Sequence, residues 1–223
     1  PIATADTIAD TIKTTTGYFT DGDGTLEGST VFTGSTSDAN EKYYFLVNNK
    51  VETDKTSETQ FSVTFGHYAG SGSDTYGDSS INPRTLKGQT EAIYRQFSET
   101  LQISTEVTGG FKISQQGSAG AISSGNRDEY VYALIGKRSR FKDRMNKKSW
   151  TLTLSGSSSD GFTGSRLSLT DDSKYNAAVA TPGGPRYNIV SGALGKPSGS
   201  NPAIAKDHRT FGWFYPEMGI MLF

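Results

Sequence analysis

Cysteine is absent from this 223-residue chain, which excludes a disulfide scaffold and any thiolate metal site. Histidine is almost absent too, with only His67 and His208. An excess of one charge is also missing. Twenty-two Lys and Arg stand against 23 Asp and Glu, a net charge of -1, so no global field draws the chain to nucleic acid or a membrane surface. No apolar run approaches the roughly 18 residues that a membrane-spanning helix needs. The opening Pro-Ile-Ala-Thr-Ala-Asp lacks the basic start and apolar core of a secretory leader. With the missing cysteines, this gives the expectation of folding in a reducing cytosol. Apolar residues make up 33% of the chain, below the usual ~45–50%.

What is present is glycine (26 residues), Ser and Thr, and an apolar mass carried by 12 phenylalanines and 11 tyrosines. That profile predicts many short strands joined by Gly/Ser/Asn/Asp turns, and argues against a bundle built on Ala, Leu and Glu. The expected fold is mainly β: an antiparallel sheet or sandwich with long Gly/Ser loops, extended termini and one amphipathic helix near 83–103. Residues 1–16 read as an N-terminal arm and 17–223 as a single mainly-β domain.

Strands are expected at 42–51 and at 60–68, where Phe61, Val63 and Phe65 alternate on one face. Asn82-Pro83 reads as a helix start, and Ile93, Phe97 and Leu101 follow at four-residue steps with Tyr94 beside them. This stripe is expected to pack on strand residues such as Phe65 or Leu134. Further strands are expected around Phe111 and Ile113, at 130–135, at 150–154 with 166–169 as hairpin partner, and at 187–190. Residues 171–186 read as irregular and 191–205 as a Gly/Ser/Pro loop.

Asp21-Gly-Asp-Gly-Thr-Leu26 matches the nucleophile and acid pair of haloacid-dehalogenase-like phosphatases, and Asp171-Asp172 could stand for their second acidic pair. The context argues against that chemistry. Thr16-Gly-Tyr-Phe-Thr20 is not the apolar strand such a nucleophile needs, and a parallel sheet with alternating helices is not indicated. A calcium loop starting at Asp21 would place Phe32 at its last ligand position, where it cannot coordinate. The motif therefore reads as a Gly/Asp turn. His67 reads as a strand-end histidine bonded locally. Gly70-Ser-Gly72-Ser and Gly192-Ala-Leu-Gly195-Lys196 lack the phosphate-loop spacing. No catalytic residue, metal ligand or cofactor site is assigned.

The basic run Lys137, Arg138, Arg140, Lys142, Arg144, Lys147 and Lys148 has only Phe141 as an aromatic and Asp143 in its middle. It reads as a charged contact to a neighbouring subunit and not as a nucleic-acid surface. The sharpest feature is the block Thr210–Phe223, nearly all apolar or aromatic. It must be buried, in its own domain or against another chain. Part of it is expected to pair as a strand, since Pro216 and Gly219 interrupt it only briefly. The rest is expected to meet a partner through Trp213, Phe214, Tyr215, Met218 and Met221, with Ile8 and Ile12 of the arm anchoring in partner grooves.

The residues also carry a resemblance. Gly17-Tyr-Phe-Thr-Asp-Gly-Asp-Gly-Thr-Leu26, Asn40-Glu-Lys-Tyr-Tyr-Phe45, Thr64-Phe-Gly-His67 and Ile93-Tyr-Arg-Gln-Phe97 run in this order. Lys137-Arg-Ser-Arg-Phe-Lys142, Trp150-Thr-Leu-Thr-Leu-Ser155, Tyr187-Asn-Ile-Val190 and Phe214-Tyr-Pro-Glu-Met-Gly-Ile220 follow. Together they resemble the tail and baseplate structural proteins of T4-like cyanophages, over most of the chain. The resemblance implies a non-enzymatic virion part, assembled in the host cytoplasm and present in several copies under particle symmetry. Its partners would be other tail and baseplate proteins, with no small-molecule substrate. The alternative from the residues themselves is a glycan-binding β module of a fibre or adhesin, using Tyr and Trp with Asn and Asp.

Overall fold

The structure is a computed structural model that describes residues 26–27, 44–48, 55, 59–70, 88–107, 110–113, 127–141, 143–155, 166–198 and 210–223. The strands are β1 (Leu26–Glu27), β2 (Tyr44–Asn48), β3 (Thr59–His67), β4 (Tyr130–Gly136), β5 (Leu152–Ser155) and β6 (Arg166–Asp171). They continue with β7 (Val179–Thr181), β8 (Gly184–Ala193), β9 (Lys196–Pro197), β10 (Thr210–Tyr215) and β11 (Ile220–Leu222). Helices α1 (Gly88–Leu101) and α2 (Ser104–Val107) separate β3 from β4. The strands form one sheet in the order β1-β2-β3-β4-β11-β10-β8-β6-β5, with β7 and β9 each pairing a part of β8. The sheet is antiparallel and curls into a half-barrel, so the chain is mainly β, as the composition predicts.

The apolar block lies in the middle of this sheet. β10 and β11 form a hairpin, pairing Trp213 with Leu222 and Tyr215 with Ile220. β11 then pairs with β4 and β10 with β8. Alternation sends the block to both faces. Trp213, Tyr215, Ile220 and Leu222 join Tyr94, Leu101, Phe111, Val131 and Ala133 in one cluster. Phe214 and Met221 join Leu169 and Ile189 in the other, with Leu134, Met145, Trp150 and Leu152 partly buried against it. A central strand covered on both faces has no solvent side to keep polar, so the two-residue alternation disappears from its sequence.

Helix α1 covers the first face. Tyr94 is fully buried. Its hydroxyl donates to Asp128 O at 2.8 Å and accepts from Phe111 N at 2.9 Å. Burial pushes this phenol above its ordinary pKa. The ring meets Phe111 edge-on at 5.2 Å, and Phe111 meets Trp213 at 5.9 Å. The buried ridge of α1 runs through Thr90, Tyr94, Ser98 and Leu101. Ile93 and Phe97 flank it, half-buried. The contact under the helix also differs from the expected one. Phe65 pairs with Tyr132 and Val63 with Leu134, so Phe65 and Leu134 share the face opposite α1. Gly66, the next residue along, lies beneath the helix: a Cβ there would stand 2.8 Å from Tyr94 N.

Three other expectations are corrected. Gly110, Phe111 and Ile113 are buried but form no strand; Phe111 instead accepts from Asp128 N through its carbonyl. Residues 171–186, expected to be irregular, contain β7 and the start of β8. The expected loop after 190 begins as the β8–β9 hairpin, with Leu194 and Gly195 both at positive φ. The last two were hidden by Gly and Pro, which local propensity assigns to turns and which pairing with neighbouring strands overrides. The arm, Thr30-Val31-Phe32 and Asn82-Pro83 lie outside the described residues.

Candidate interaction surface

Between β4 and β5 the basic segment crosses the sheet as a strap. Lys137 N donates to Gln60 O at 3.0 Å, and a 3-10 turn follows at Arg138–Arg140. The Phe141 ring seats against Gly136 and Gly219. Met145 N donates to Pro216 O at 2.8 Å, in the β10–β11 turn, while the Met145 side chain packs into the second cluster. Lys148, at φ 66°, donates its N–H to Asp171 Oδ2 at 2.8 Å. Lys147 donates to the Tyr187 hydroxyl at 2.9 Å. The strap is therefore tied at both ends and in the middle, and Lys137, Arg138, Arg144 and Lys148 are exposed on it.

Arg138 reaches back to the β10–β11 turn. Its guanidinium donates to Glu217 O at 2.8 Å and lies 4.9 Å from the Phe141 ring centre. Arg140 is partly buried, with Nε 3.4 Å from Thr59 O. The next residue after Glu217 is Met218, 46% exposed. Arg138 and Met218, both expected at a partner contact, thus come together at one end of β4. Lys142, Ile8 and Ile12 lie outside the described residues.

The other tail residues expected to meet a partner are spent differently. Trp213, Phe214 and Tyr215 are fully buried and Met221 nearly so, all within the chain's own two clusters. In this conformation their surface is covered by their own sheet neighbours, α1 and the strap. The physical reason is the central position of the hairpin. Arg186, also buried, stacks on Trp213 with its guanidinium carbon 3.9 Å from the ring centre.

Asp171 and Asp172 are both buried at the end of β6. Asp171 accepts from Lys148 N and from the backbone and hydroxyl of Ser173. Asp172 accepts from Asn188 N at 3.0 Å, Asn188 Nδ2 at 3.1 Å and Asn176 Nδ2 at 2.8 Å. These donors tie β6 to the strap and to β8, a structural use of both carboxylates. Burial raises the Asp172 pKa against the pull of its amide donors. Among the described residues no group of His, Asp and Glu is placed to hold a metal ion. Asp21, Asp23 and His208 lie outside them. His67 accepts from Ala69 N through Nδ1 at 3.2 Å, the local bond expected of it.

Two groupings were not foreseen. Phe65 lies 5.3 Å from Tyr132 and 6.4 Å from Tyr130, which is 57% exposed, with His67 beside them. At the same end of β3 and β4, Arg95 and Arg127 both lie on the ring of Tyr68, at 4.3 and 3.5 Å from its centre. Each grouping joins segments far apart in sequence. Only the alternation of β3 hinted at the first, and no local signal marks the second.

No family model matches the chain, and neither a curated protein nor a solved structure matches it. The class defined by the structure itself is an antiparallel β half-barrel with one face covered by a helix and the other by a basic strap.

Proposed function

We propose that this chain is a non-catalytic structural component of a virion, of the tail or baseplate kind its sequence resembles, and that it works through protein–protein contacts in several copies. The supporting observation is the fixed strap. Its exposed cationic heads sit on a backbone held by Gln60, Pro216 and Asp171, with Met218 beside Arg138. Long cationic side chains on a rigid base lose less freedom on docking than those on a free loop. Charged heads around a polarizable apolar residue suit an acidic partner surface. Symmetric copies multiply such modest contacts.

The test is incorporation. Peptide mass spectrometry of purified particles should find the chain. Reversing Lys137 and Arg144, both exposed, to Glu should lower its incorporation while leaving its melting temperature unchanged. Absence from particles, or tight salt-sensitive DNA binding lost on the same reversal, would overturn the reading. The second reading, a glycan-binding module, draws support from Tyr130, the most exposed ring of the Phe65–Tyr132 group. Glycan-array binding abolished by Tyr130→Ala would favour it over assembly.

A further inference from the structure

We propose that Arg95 and Arg127, held on the ring of Tyr68, form a clamp for the side-chain carboxylate of an Asp or Glu on a partner protein. Both guanidinium carbons lie close to one ring centre, 4.3 and 3.5 Å away. They are therefore under about 8 Å apart, a span that a carboxylate accepting from two guanidinium forks can bridge. The ring itself is fixed. Tyr68 N donates to Glu129 O at 2.7 Å, and the ring stands edge-on to buried Tyr94 at 5.5 Å. Stacking on an aromatic face orients a guanidinium while leaving its N–H edge free to donate.

Among the described residues, neither cation has a strong ionic partner. Among the described residues no carboxylate lies within 4 Å of Arg127. The neighbouring Asp128 turns a carboxylate oxygen to Ile113 N at 2.5 Å. Arg95 has Glu91, one helical turn back, at 3.7 Å; the two side chains are 44% and 39% exposed. Such an exposed pair is weak and exchanges readily. Glu91 also limits what the site can take. It offsets one of the two cations, which leaves enough charge for a single carboxylate and too little for a nucleic-acid backbone, whose binding needs a run of cations along successive phosphates.

The clamp sits at the end of β3 and β4 opposite the strap, so it extends the assembly reading without resting on it. The experiment uses the whole chain, free of any particle, with nitrogen-15 labelling. The probe is a blocked tetraglutamate peptide, and tetraglutamine is its control. The expected result is a saturable shift of the Arg95 and Arg127 Nε–H resonances with tetraglutamate only. Arg127→Gln should weaken binding by about tenfold or more without lowering the melting temperature, and Arg95→Gln should do the same. Arg127→Lys should also bind less tightly, because it keeps the charge and loses the fork. No shift at Arg95 and Arg127, a shift there that tetraglutamine reproduces or that Arg127→Gln leaves unchanged, or stronger binding of an oligothymidylate than of tetraglutamate at these two residues would each overturn the proposal.

Discussion

At the scale of single residues, Asp172 and Gly66 carry the sharpest tests. Burial raises the Asp172 pKa above its ordinary value of 3.8. The folded chain therefore holds this proton more tightly than the unfolded chain between 3.8 and the raised value. Stability from this group grows as pH falls through that window, and is lost as pH rises through the folded pKa. Asp172→Asn removes the titration and turns an amide toward the donors of Asn176 and Asn188. Comparing urea midpoints from neutral pH down to the ordinary value of 3.8, the deficit of the variant should widen as the pH falls. A deficit that narrows on acidification would mean that the carboxylate is stabilised as an anion. Gly66→Ala places a methyl 2.8 Å from Tyr94 N, against helix backbone that cannot step aside cheaply. A loss of about 1–3 kcal/mol is expected in denaturant unfolding. A neutral result would show that α1 sits further from β3.

At the scale of elements, the β8–β9 hairpin offers a gain. Its turn residues, Leu194 and Gly195, have φ of 49° and 68°, and Leu194 is 59% exposed. Glycine takes this region freely, whereas leucine is strained there and asparagine much less so. Leu194→Asn should therefore raise stability by about 0.5–1 kcal/mol in the same unfolding assay. The elements also show what a sequence makes legible. The alternation of β3 marks it as a strand, although Gln60 and Thr64 are buried while Phe61 and Val63 are half-buried; the 88–101 helix repeats because one side meets the sheet. The exact ridge was shifted by one residue, since Thr90 and Ser98 are polar yet buried. Local bonding makes the burial of Ser98 tolerable: Ser98 Oγ donates to Gln102 Oε1 at 2.6 Å, and Gln102 Nε2 donates to Gly110 O at 3.1 Å. β7 and the first part of β8 were unreadable, because Gly184-Pro185-Arg186 looks like a turn until β7 pairs with it.

At the scale of the whole molecule, the same limit governs the candidate surfaces. The basic run was legible because its charges are close together in sequence. The Tyr68 clamp was not, because β3, α1 and the segment before β4 meet only in the folded chain. The apolar block was legible as buried, but a one-dimensional reading could not tell a chain's own core from an interface. In this chain Trp213, Phe214, Tyr215 and Met221 are buried among its own strands, helix and strap. β11 sits between β4 and β10, so it joins the part of the sheet formed by β1 to β4 to the part formed by β5, β6, β8 and β10. Removing residues 220–223 deletes Ile220, Met221 and Leu222, which are buried on both faces. It also strips the edges of β4 and β10 of their hydrogen bonds. Each lost apolar side chain forfeits about 1.5–3 kcal/mol of burial, so the three together approach the entire stability of an ordinary domain. The truncated chain is expected to lose cooperative thermal unfolding and its near-ultraviolet circular dichroism, and to associate through the two exposed edges. A truncated chain that stays monomeric with an unchanged melting transition would show that β4 and β10 do not depend on β11, and would displace the apolar block from the centre of the sheet.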